Sequence, residues 1–320
     1  LIAIGSGGIK PSIASNVGDQ FGKANQHLLS RAFSWYYFGI NIGSSTSSLL
    51  TPWLLVNFGP SIAFGVPGIF MLLATITYWL GRHKFVHIPP TGSSYLKEIL
   101  GNEGRRVAKR LIVIYVLIAA FWSLFDQMGS TWVLQAQNMN RTVFGYELLS
   151  AQIQSANPFL ILVLIPVFTY LIYPFLGRFF LPTAKRKMCI GMFLAATPFL
   201  VTAWIEHQIQ IGLLPHIGWQ LFAYLLLTMA EVMLVITCLE FAYTQAPKRM
   251  KSFVMAFFYL SISAGNLFTA IVNQLIQNPD GSSILEGAMY HLFFAGFMTI
   301  FALIFLIYMR YYKEEYIIQD

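Results

Sequence analysis

Residues 219–251 read WQLFAYLLLTMAEVMLVITCLEFAYTQAPKRMK, and this stretch decides how the chain folds. Its apolar run can cross a bilayer, because about 20 helical residues at a rise of about 1.5 Å match a hydrocarbon core about 30 Å thick. Glu231 lies inside that run, between apolar neighbours. An ionised carboxylate at such depth costs at least about 2.5–3.5 kcal/mol. We therefore expect Glu231 to be protonated, paired with a cation or turned toward an aqueous cavity. A purely structural ion pair is the competing interpretation.

The composition of the whole chain agrees with this stretch. Of 320 residues, 57% are hydrophobic and only 10% are charged, whereas a soluble domain carries about 25% charged residues. The apolar segments are continuous over about 20 residues, which indicates helices rather than the alternating strands of a membrane barrel. Cys189 and Cys238 both lie in apolar runs and have neither disulfide nor metal-ligand spacing. The sequence predicts an all-α polytopic protein in a lipid bilayer, without a metal or cofactor.

The basic residues set the expected orientation in the membrane. The net charge of +7 could suggest a nucleic-acid partner, but eighteen of the twenty Lys and Arg lie in alternate connections between apolar spans and in the tail. The exceptions are Lys10 and Arg141. Basic connections of this kind face the cytoplasm. We therefore expect no nucleic-acid binding and a cytoplasmic C-terminus.

The spacing of the apolar spans suggests two bundles. The nine expected spans cover about 1–17, 32–56, 62–81, 109–136, 156–177, 188–205, 217–243, 252–277 and 288–311. The longest polar connection separates three spans from six. The major-facilitator architecture has two six-helix halves built from three-helix repeats. We therefore predict that 1–81 is the remainder of an N-terminal bundle, 82–108 a cytoplasmic linker and 109–320 a complete C-terminal bundle. Three further helices upstream would complete the fold, and we expect these nine spans alone to be inactive.

Two of the first spans carry polar side chains at membrane depth. Lys10 lies between Ile9 and Pro11 in a glycine-rich helix, and the competing interpretation is a lysine that extends to the membrane interface. Tyr37 and Asn41 are four residues apart and share a helix face. Small polar residues such as Asn41 also join helices without any further role.

The later spans add four more candidates. Trp122 and Asp126 are four residues apart, and Asp126 suits either a proton relay or gate, or packing against a structural arginine. Asn157 is a polar residue near the start of the fifth span. Phe258 could line a pocket, although aromatic residues at helical spacing more often serve packing.

Together these motifs resemble the proton-coupled oligopeptide transporter family of the major facilitator superfamily. The matching stretches follow the family order over almost the whole chain. They are GSGGIKP (5–11), GDQF (18–21), FSWYYFGINIGS (33–44), FWSLFDQMGS (121–130), TWVLQA (131–136), NPFLILVLIPVF (157–168), AEVMLVITCLEFAYTQAPKRMKS (230–252) and AGNL (264–267). The resemblance implies that the chain starts in the family's fourth helix. The first-helix E-x-x-E-R motif is not in this sequence.

The resemblance also implies roles for individual residues. Lys10, Tyr37, Asn41, Asn157 and Glu231 match binding-site positions of the family. Asp126 falls where the seventh helix carries an acidic residue, and Phe258 falls where many members have a pocket tryptophan. The implied activity is symport of di- and tripeptides with protons, driven by the proton gradient.

From the residues and the resemblance we predict a charge clamp. Lys10 would hold the peptide carboxylate and Glu231 the ammonium group. Asn41 and Asn157 would bond the peptide backbone, while Tyr37, Trp122 and Phe258 would form the walls for its side chains. Asp126, Glu231 and Lys10 are the candidates for proton coupling and gating, and Lys10 and Glu231 are expected to pair directly when no substrate is bound.

Other functions fit the sequence less well. The main alternative is a carrier of the same fold for nitrate, an amino-acid conjugate or another small anion or zwitterion. An intramembrane enzyme is disfavoured because the sequence has no His-Glu-x-x-His and no Gly-x-Ser-x-Gly motif. A purely structural role would not explain three charges at membrane depth. We further expect a monomer in the cell membrane.

Overall fold

The computed structural model describes residues 2–22, 24–86, 100–245, 250–279 and 282–312. Within these residues the chain is almost entirely helical. The α-helices are α1 (Ile2–Asp19), α2 (Leu29–Phe58), α3 (Pro60–Gly81), α4 (Asn102–Phe125), α5 (Thr131–Gln137), α6 (Ala156–Val167), α7 (Tyr173–Leu176), α8 (Ala184–Gln210), α9 (Gly218–Thr244), α10 (Lys251–Ile276) and α11 (Ala288–Tyr311). Short 3-10 helices cover Gln26–Leu28, Arg82–Lys84, Asp126–Gly129 and Ser150–Ser155, and a π-helix covers Phe168–Ile172. A short antiparallel hairpin lies between α5 and α6, and each of its strands, β1 (Thr142–Val143) and β2 (Tyr146–Glu147), has two residues.

The predicted all-α membrane fold is confirmed. In the described part of the chain, α4 with α5 and α6 with α7 each form one long span, so nine spans result. Seven of them are long and apolar enough to cross a membrane. The exceptions in the described part are α1 and α2, because glycine, serine and asparagine residues interrupt their apolar sequence.

The helices that carry the basic loops define two ends of the molecule. At one end, here called the basic end, α1 and α9 terminate and α2, α4, α8 and α10 begin. The opposite end, here called the far end, holds the hairpin and the α8–α9 and α10–α11 connections.

The fourth predicted span differs from expectation in two ways. It begins at Asn102 rather than 109, because hydropathy locates only the apolar part of a helix whose first turns are basic. It is also interrupted by the 3-10 turn Asp126–Gly129, after which Ser130 leaves helical geometry (φ −130°, ψ −88°). The side chain of Gln127 donates to the Ser123 carbonyl (2.8 Å) beside this break. The break separates α4 from α5 within one span.

Helix α9 lies at the centre of the molecule. Nineteen of its 27 residues are buried, and it packs against α8, α6, α10 and α2. Its contact with α8 is close because Gly191 has no side chain: a Cβ there would lie 3.1 Å from the Ala230 carbonyl oxygen. Small residues allow such close approach of membrane helices.

Helix α3 has the opposite character. Among its described side chains only Ala63 is buried, and large apolar residues such as Phe64, Leu72 and Trp79 are exposed. Exposed apolar surface of this extent on a membrane helix is suited to lipid.

The predicted linker, 82–108, falls partly outside the described residues, which omit 87–99. The division into 1–81, 82–108 and 109–320 therefore stays a prediction. Below, the N-terminal group means α1–α3 and the C-terminal group means α4–α11.

Candidate functional site

Glu231 lies in the middle of α9 and is 2% exposed. Both of its carboxylate oxygens accept hydrogen bonds from other helices. The Tyr37 hydroxyl, on α2, bonds Oε1, and Asn157 Nδ2, on α6, donates to Oε2 at 2.7 Å. The buried carboxylate is thus held by two uncharged donors, one from each group of helices.

Asn157 is itself held in place by α9. Its second amide hydrogen is directed to Thr228 Oγ1 at 3.1 Å, and the Thr228 hydroxyl donates to the Tyr224 carbonyl at 2.7 Å. Thr228 precedes Glu231 by three residues, so both side chains lie on the same face of α9. Asn157 therefore bridges two positions of one helix face and presents its amide rigidly to Glu231.

The hydrogen-bond chemistry of this cluster is compatible with two protonation states of Glu231. An amide nitrogen only donates, so Oε2 must be an acceptor. A tyrosine hydroxyl can donate or accept, so Oε1 can either accept from Tyr37 as a carboxylate or donate to it as a carboxylic acid. A proton can therefore be added at Oε1 without breaking the contact.

A second tyrosine pair lies beside the first. Tyr36 on α2 and Tyr259 on α10 are neighbours across the two groups of helices. Consecutive residues of α2 thus contact two different helices of the C-terminal group.

Trp122 and Phe258 form an aromatic wall. Their rings meet edge to face, with centroids 6.0 Å apart at 78°, and both side chains are buried. Trp122 Nε1 has no hydrogen-bond partner within the described part of the chain. A buried indole N–H normally finds an acceptor, so this donor is available to another group.

Three predicted residues lie outside the cluster around Glu231. Lys10 is exposed on α1 and does not contact Glu231 in the described structure. The expected direct pair is not formed here, and the carboxylate is bonded by Tyr37 and Asn157 instead. Asn41 is buried, but its amide donates within α2, to the Tyr37 carbonyl at 2.9 Å. Asp126 is exposed at the helix break and accepts from Asn266 Nδ2 on α10 at 2.6 Å, rather than from an arginine.

The two groups of helices also meet at the basic end. Tyr243, near the end of α9, donates to Asp19 Oδ1 at the end of α1 (3.1 Å). Its ring lies 3.4 Å from the ammonium of buried Lys251 and 5.9 Å from the Phe33 ring. Ser15 and Ser252 share a hydrogen bond of 2.8 Å between α1 and α10.

Several of these residues were not singled out in the sequence. Thr228 could have been found by its helical spacing from Glu231. Tyr36 and Asn266 sit next to residues or motifs that were singled out, but their partners are far away in sequence. Asp19 and Tyr243 lie within matching stretches, yet nothing in the sequence pairs them. In the described residues no three His, Cys, Asp or Glu side chains converge on a metal position.

The sequence model of a protein family, PTR2 (POT family), matches residues 1–102 and 99–291 of the chain. The chain belongs to the POT family. Similar curated relatives include peptide transporter family 1 of Drosophila melanogaster, 34% identical over 250 residues, and human solute carrier family 15 member 2, 34% identical over 251 residues. Each alignment covers 66% of this chain and 34% of the relative. The chain thus spans about a third of the length of these POT relatives.

Solved POT structures share the fold. The crystal structure of an auto-inhibited POT family peptide transporter aligns with a TM-score of 0.77 and 32% identity, covering 98% of this chain and 77% of that one. The POT family transporter PepTSo aligns with a TM-score of 0.76 and 34% identity, covering 97% and 76%. The helices around Glu231 are therefore arranged as a POT fold requires.

Proposed function

We propose that the protein carrying this chain is a proton-coupled symporter of di- and tripeptides that works by alternating access. It would act as a monomer in the cell membrane, with the basic end and the C-terminus in the cytoplasm. The observation that supports this most is the buried Glu231 carboxylate, held by an uncharged donor from each group of helices and paired with no Lys or Arg among the described residues. Membership in the POT family, and relatives named as peptide transporters, support the substrate class.

The substrate would bind by replacing one of the hydrogen-bond partners of Glu231. An ammonium group has three donors and a full charge, so it bonds a carboxylate more strongly than a neutral hydroxyl does. The peptide amino terminus would therefore take the position of the Tyr37 hydroxyl, while Asn157 keeps Oε2 in place. Lys10 would hold the peptide carboxylate from α1, and Asn41 would turn from its own helix to the peptide backbone.

The side chains of the peptide would meet an adaptable wall. Trp122 and Phe258 offer ring faces and edges, and the indole N–H of Trp122 is available for a polar substituent. Contacts of this type depend little on the identity of the peptide side chain. The termini would thus determine binding, and the side chains would adjust it.

Protons would act at Glu231 and Asp126. Protonated Glu231 has no charge to hold the ammonium group, so a proton at Oε1 would release the peptide. Asp126 accepts from Asn266 on α10, so its protonation would weaken a contact between α4 and α10. The first step converts a proton into loss of a contact with the peptide, and the second into loss of a contact between helices, which together would couple the proton to transport.

The basic end would be the cytoplasmic gate. Asp19, Tyr243, Ser15 and Ser252 join the two groups there in this conformation. For the peptide to leave toward the cytoplasm, these contacts must separate while the far end closes.

Uptake into proteoliposomes tests the proposal. The protein carrying this chain is reconstituted, and accumulation of a radiolabelled dipeptide is measured with and without an inward proton gradient. We expect gradient-driven uptake that Glu231→Gln abolishes. Glu147→Gln, at an exposed carboxylate bonded to Arg141 on the hairpin, is the matched control and should leave uptake unchanged.

Two results would refute the proposal. One is normal dipeptide accumulation by Glu231→Gln. The other is competition by nitrate or an amino-acid conjugate, with no competition by di- or tripeptides, which would favour a carrier of another small anion or zwitterion.

A further inference from the structure

A separate cavity of about 380 Å³ lies at the far end of the C-terminal group. Its polar lining comes from α5, α8, α10 and α11. The residues that matter here are Gln135, Glu206, Asn273, Tyr290 and His291. Ligand pockets begin at about 300 Å³, so this cavity can hold a small molecule.

The cavity is distinct from the cluster around Glu231. Gln220 of α9 donates to Gln135 Oε1 at 3.3 Å and so belongs to the cavity network. Gln220 precedes Glu231 by eleven residues, which places the two about 16 Å apart along the helix axis. A ligand in this cavity would therefore not contact Glu231.

Gln135 fixes the hydrogen-bond pattern of the cavity wall. Its Nε2 lies 3.0 Å from the Thr202 carbonyl and 2.8 Å from Glu206 Oε2. A carbonyl and a carboxylate oxygen both accept, so the atom facing them must be the amide nitrogen. The two amide hydrogens are then directed to Thr202 and Glu206.

His291 has a ring nitrogen whose donor, Gln135 Nε2, is shared with two other acceptors. His291 Nε2 lies 3.5 Å from Gln135 Nε2, and its Nδ1 lies 3.1 Å from Thr202 Oγ1. Because the Thr202 hydroxyl donates to the Phe199 carbonyl at 3.2 Å, it accepts from His291 Nδ1, and Nε2 is left as an acceptor. His291 is 2% exposed and lines the cavity. Because the contact of Nε2 with Gln135 is long and shared, this nitrogen can accept from a donor in the cavity.

Glu206 adds negative charge beside that lone pair. Its Oε2 is bonded by Gln135, and it is the charged residue among the described lining. Tyr290 donates to Asn273 Oδ1 at 2.9 Å, so the Asn273 amide hydrogens can turn to the cavity. The wall thus combines an anion, a neutral acceptor and several amides.

We propose that this cavity binds a small primary ammonium compound that also carries an amide group. Its ammonium would lie between the Glu206 carboxylate and His291 Nε2, close to Gln135. Its amide would pair with the amide side chains of the wall. The site opens at the far end, and its occupancy does not depend on the transport site at Glu231.

Direct binding tests this assignment. Radiolabelled glycinamide, which has an ammonium and an amide but no carboxylate, is titrated into the purified protein in detergent. We expect saturable binding that neutral N-acetylglycinamide does not displace. Glu206→Gln keeps the size of the side chain and its bond to Gln135, yet should weaken binding at least about tenfold, or about 1.4 kcal/mol.

Two matched variants locate the ligand. Glu147→Gln removes a carboxylate from the hairpin at the same end of the molecule and should not change glycinamide binding. Glu231→Gln disables the proposed transport site and should also leave glycinamide binding intact. Since transport is expected to depend on Glu231 and glycinamide binding on Glu206, failure of one assay does not imply failure of the other.

Other results would overturn the assignment. Loss of glycinamide binding in Glu231→Gln, with retention in Glu206→Gln, would place the ligand at the transport site. Equal displacement by N-acetylglycinamide would exclude an ammonium requirement. Stoichiometric Zn²⁺ binding that depends on Glu206 and His291, without glycinamide binding, would make the cavity a metal site. Absence of any saturable binding would leave the cavity as a structural hydrogen-bond network.

Discussion

At the scale of single residues, the central fact is a buried carboxylate whose partners in the described part of the chain are both uncharged. Tyr37 and Asn157 satisfy Glu231 well enough to keep it buried, yet neither opposes its charge. A fully paired carboxylate would have little reason to bind an incoming ammonium group. Glu231 is therefore stable without substrate and still attractive to a cation.

The contact between Asn157 and Glu231 should contribute measurably to stability. Asn157→Leu would leave Glu231 Oε2 and Thr228 Oγ1 without this donor, and an unsatisfied charged group in a buried site costs more than about 1–3 kcal/mol. We expect a clearly lower thermal unfolding midpoint in detergent. Asn266→Leu is the control, because its partner Asp126 is exposed and solvent replaces the lost bond. Equal effects of the two variants would contradict this account.

The sequence located polar residues at membrane depth better than it located their partners. Glu231 and Asn157 could be found because polar groups are rare in apolar spans. The bond between Tyr37 and Glu231 could not, because it depends on how α2 packs against α9 across 194 residues of chain. Lys10 illustrates the same limit, since charge alone suggested a pair that this conformation does not contain.

At the scale of helices, hydropathy predicted well which membrane spans exist but did not predict where a span is interrupted. The nine spans match the described helices closely, but the break at Asp126–Gly129 was missed. Because the sequence is apolar on both sides of the break, hydropathy averaged over a window of residues does not detect it. The packing of α10 against α4 beside this break was not visible in the sequence either.

That packing depends on Gly265. A Cβ at this position of α10 would lie 2.7 Å from both Ser123 N and Trp122 Cβ of α4. The backbone of α4 cannot move aside as the end of a flexible side chain can. Gly265→Ala should therefore destabilise the protein by about 1–3 kcal/mol through overpacking. Gly296→Ala on α11 meets nothing within 4 Å and is the matched control. Thermal unfolding of both variants in detergent checks the difference, and an unchanged midpoint for Gly265→Ala would disprove the close contact.

At the scale of the whole molecule, the side-chain hydrogen bonds and ring contacts described above between the two groups of helices fall at two levels. Tyr37 joins them at Glu231 in the middle of α9, and Asp19, Ser15 and Phe33 join them at the basic end. The family and the topology were predictable because motif order and charge asymmetry are properties of the chain. Which end of the molecule is closed is a property of one conformation, so the sequence could not specify it.

The closed basic end makes a prediction for Gly18. A Cβ on Gly18 would overlap the Tyr243 ring, which is held by Asp19, Lys251 and Phe33. Gly18→Ala should therefore displace Tyr243 and open this end. A cysteine replacing buried Ser15 would report the opening through a membrane-impermeant maleimide applied from the basic side, since native Cys189 and Cys238 are buried. We expect labelling to become several-fold faster in Gly18→Ala and to stay unchanged in Gly43→Ala, where a Cβ meets nothing within 4 Å.

Because alternating access, as proposed, couples opening of one end to closing of the other, Gly18→Ala should also slow binding of dipeptide from the far side. Faster labelling without that slowing would mean that the two ends open independently, which is incompatible with alternating access.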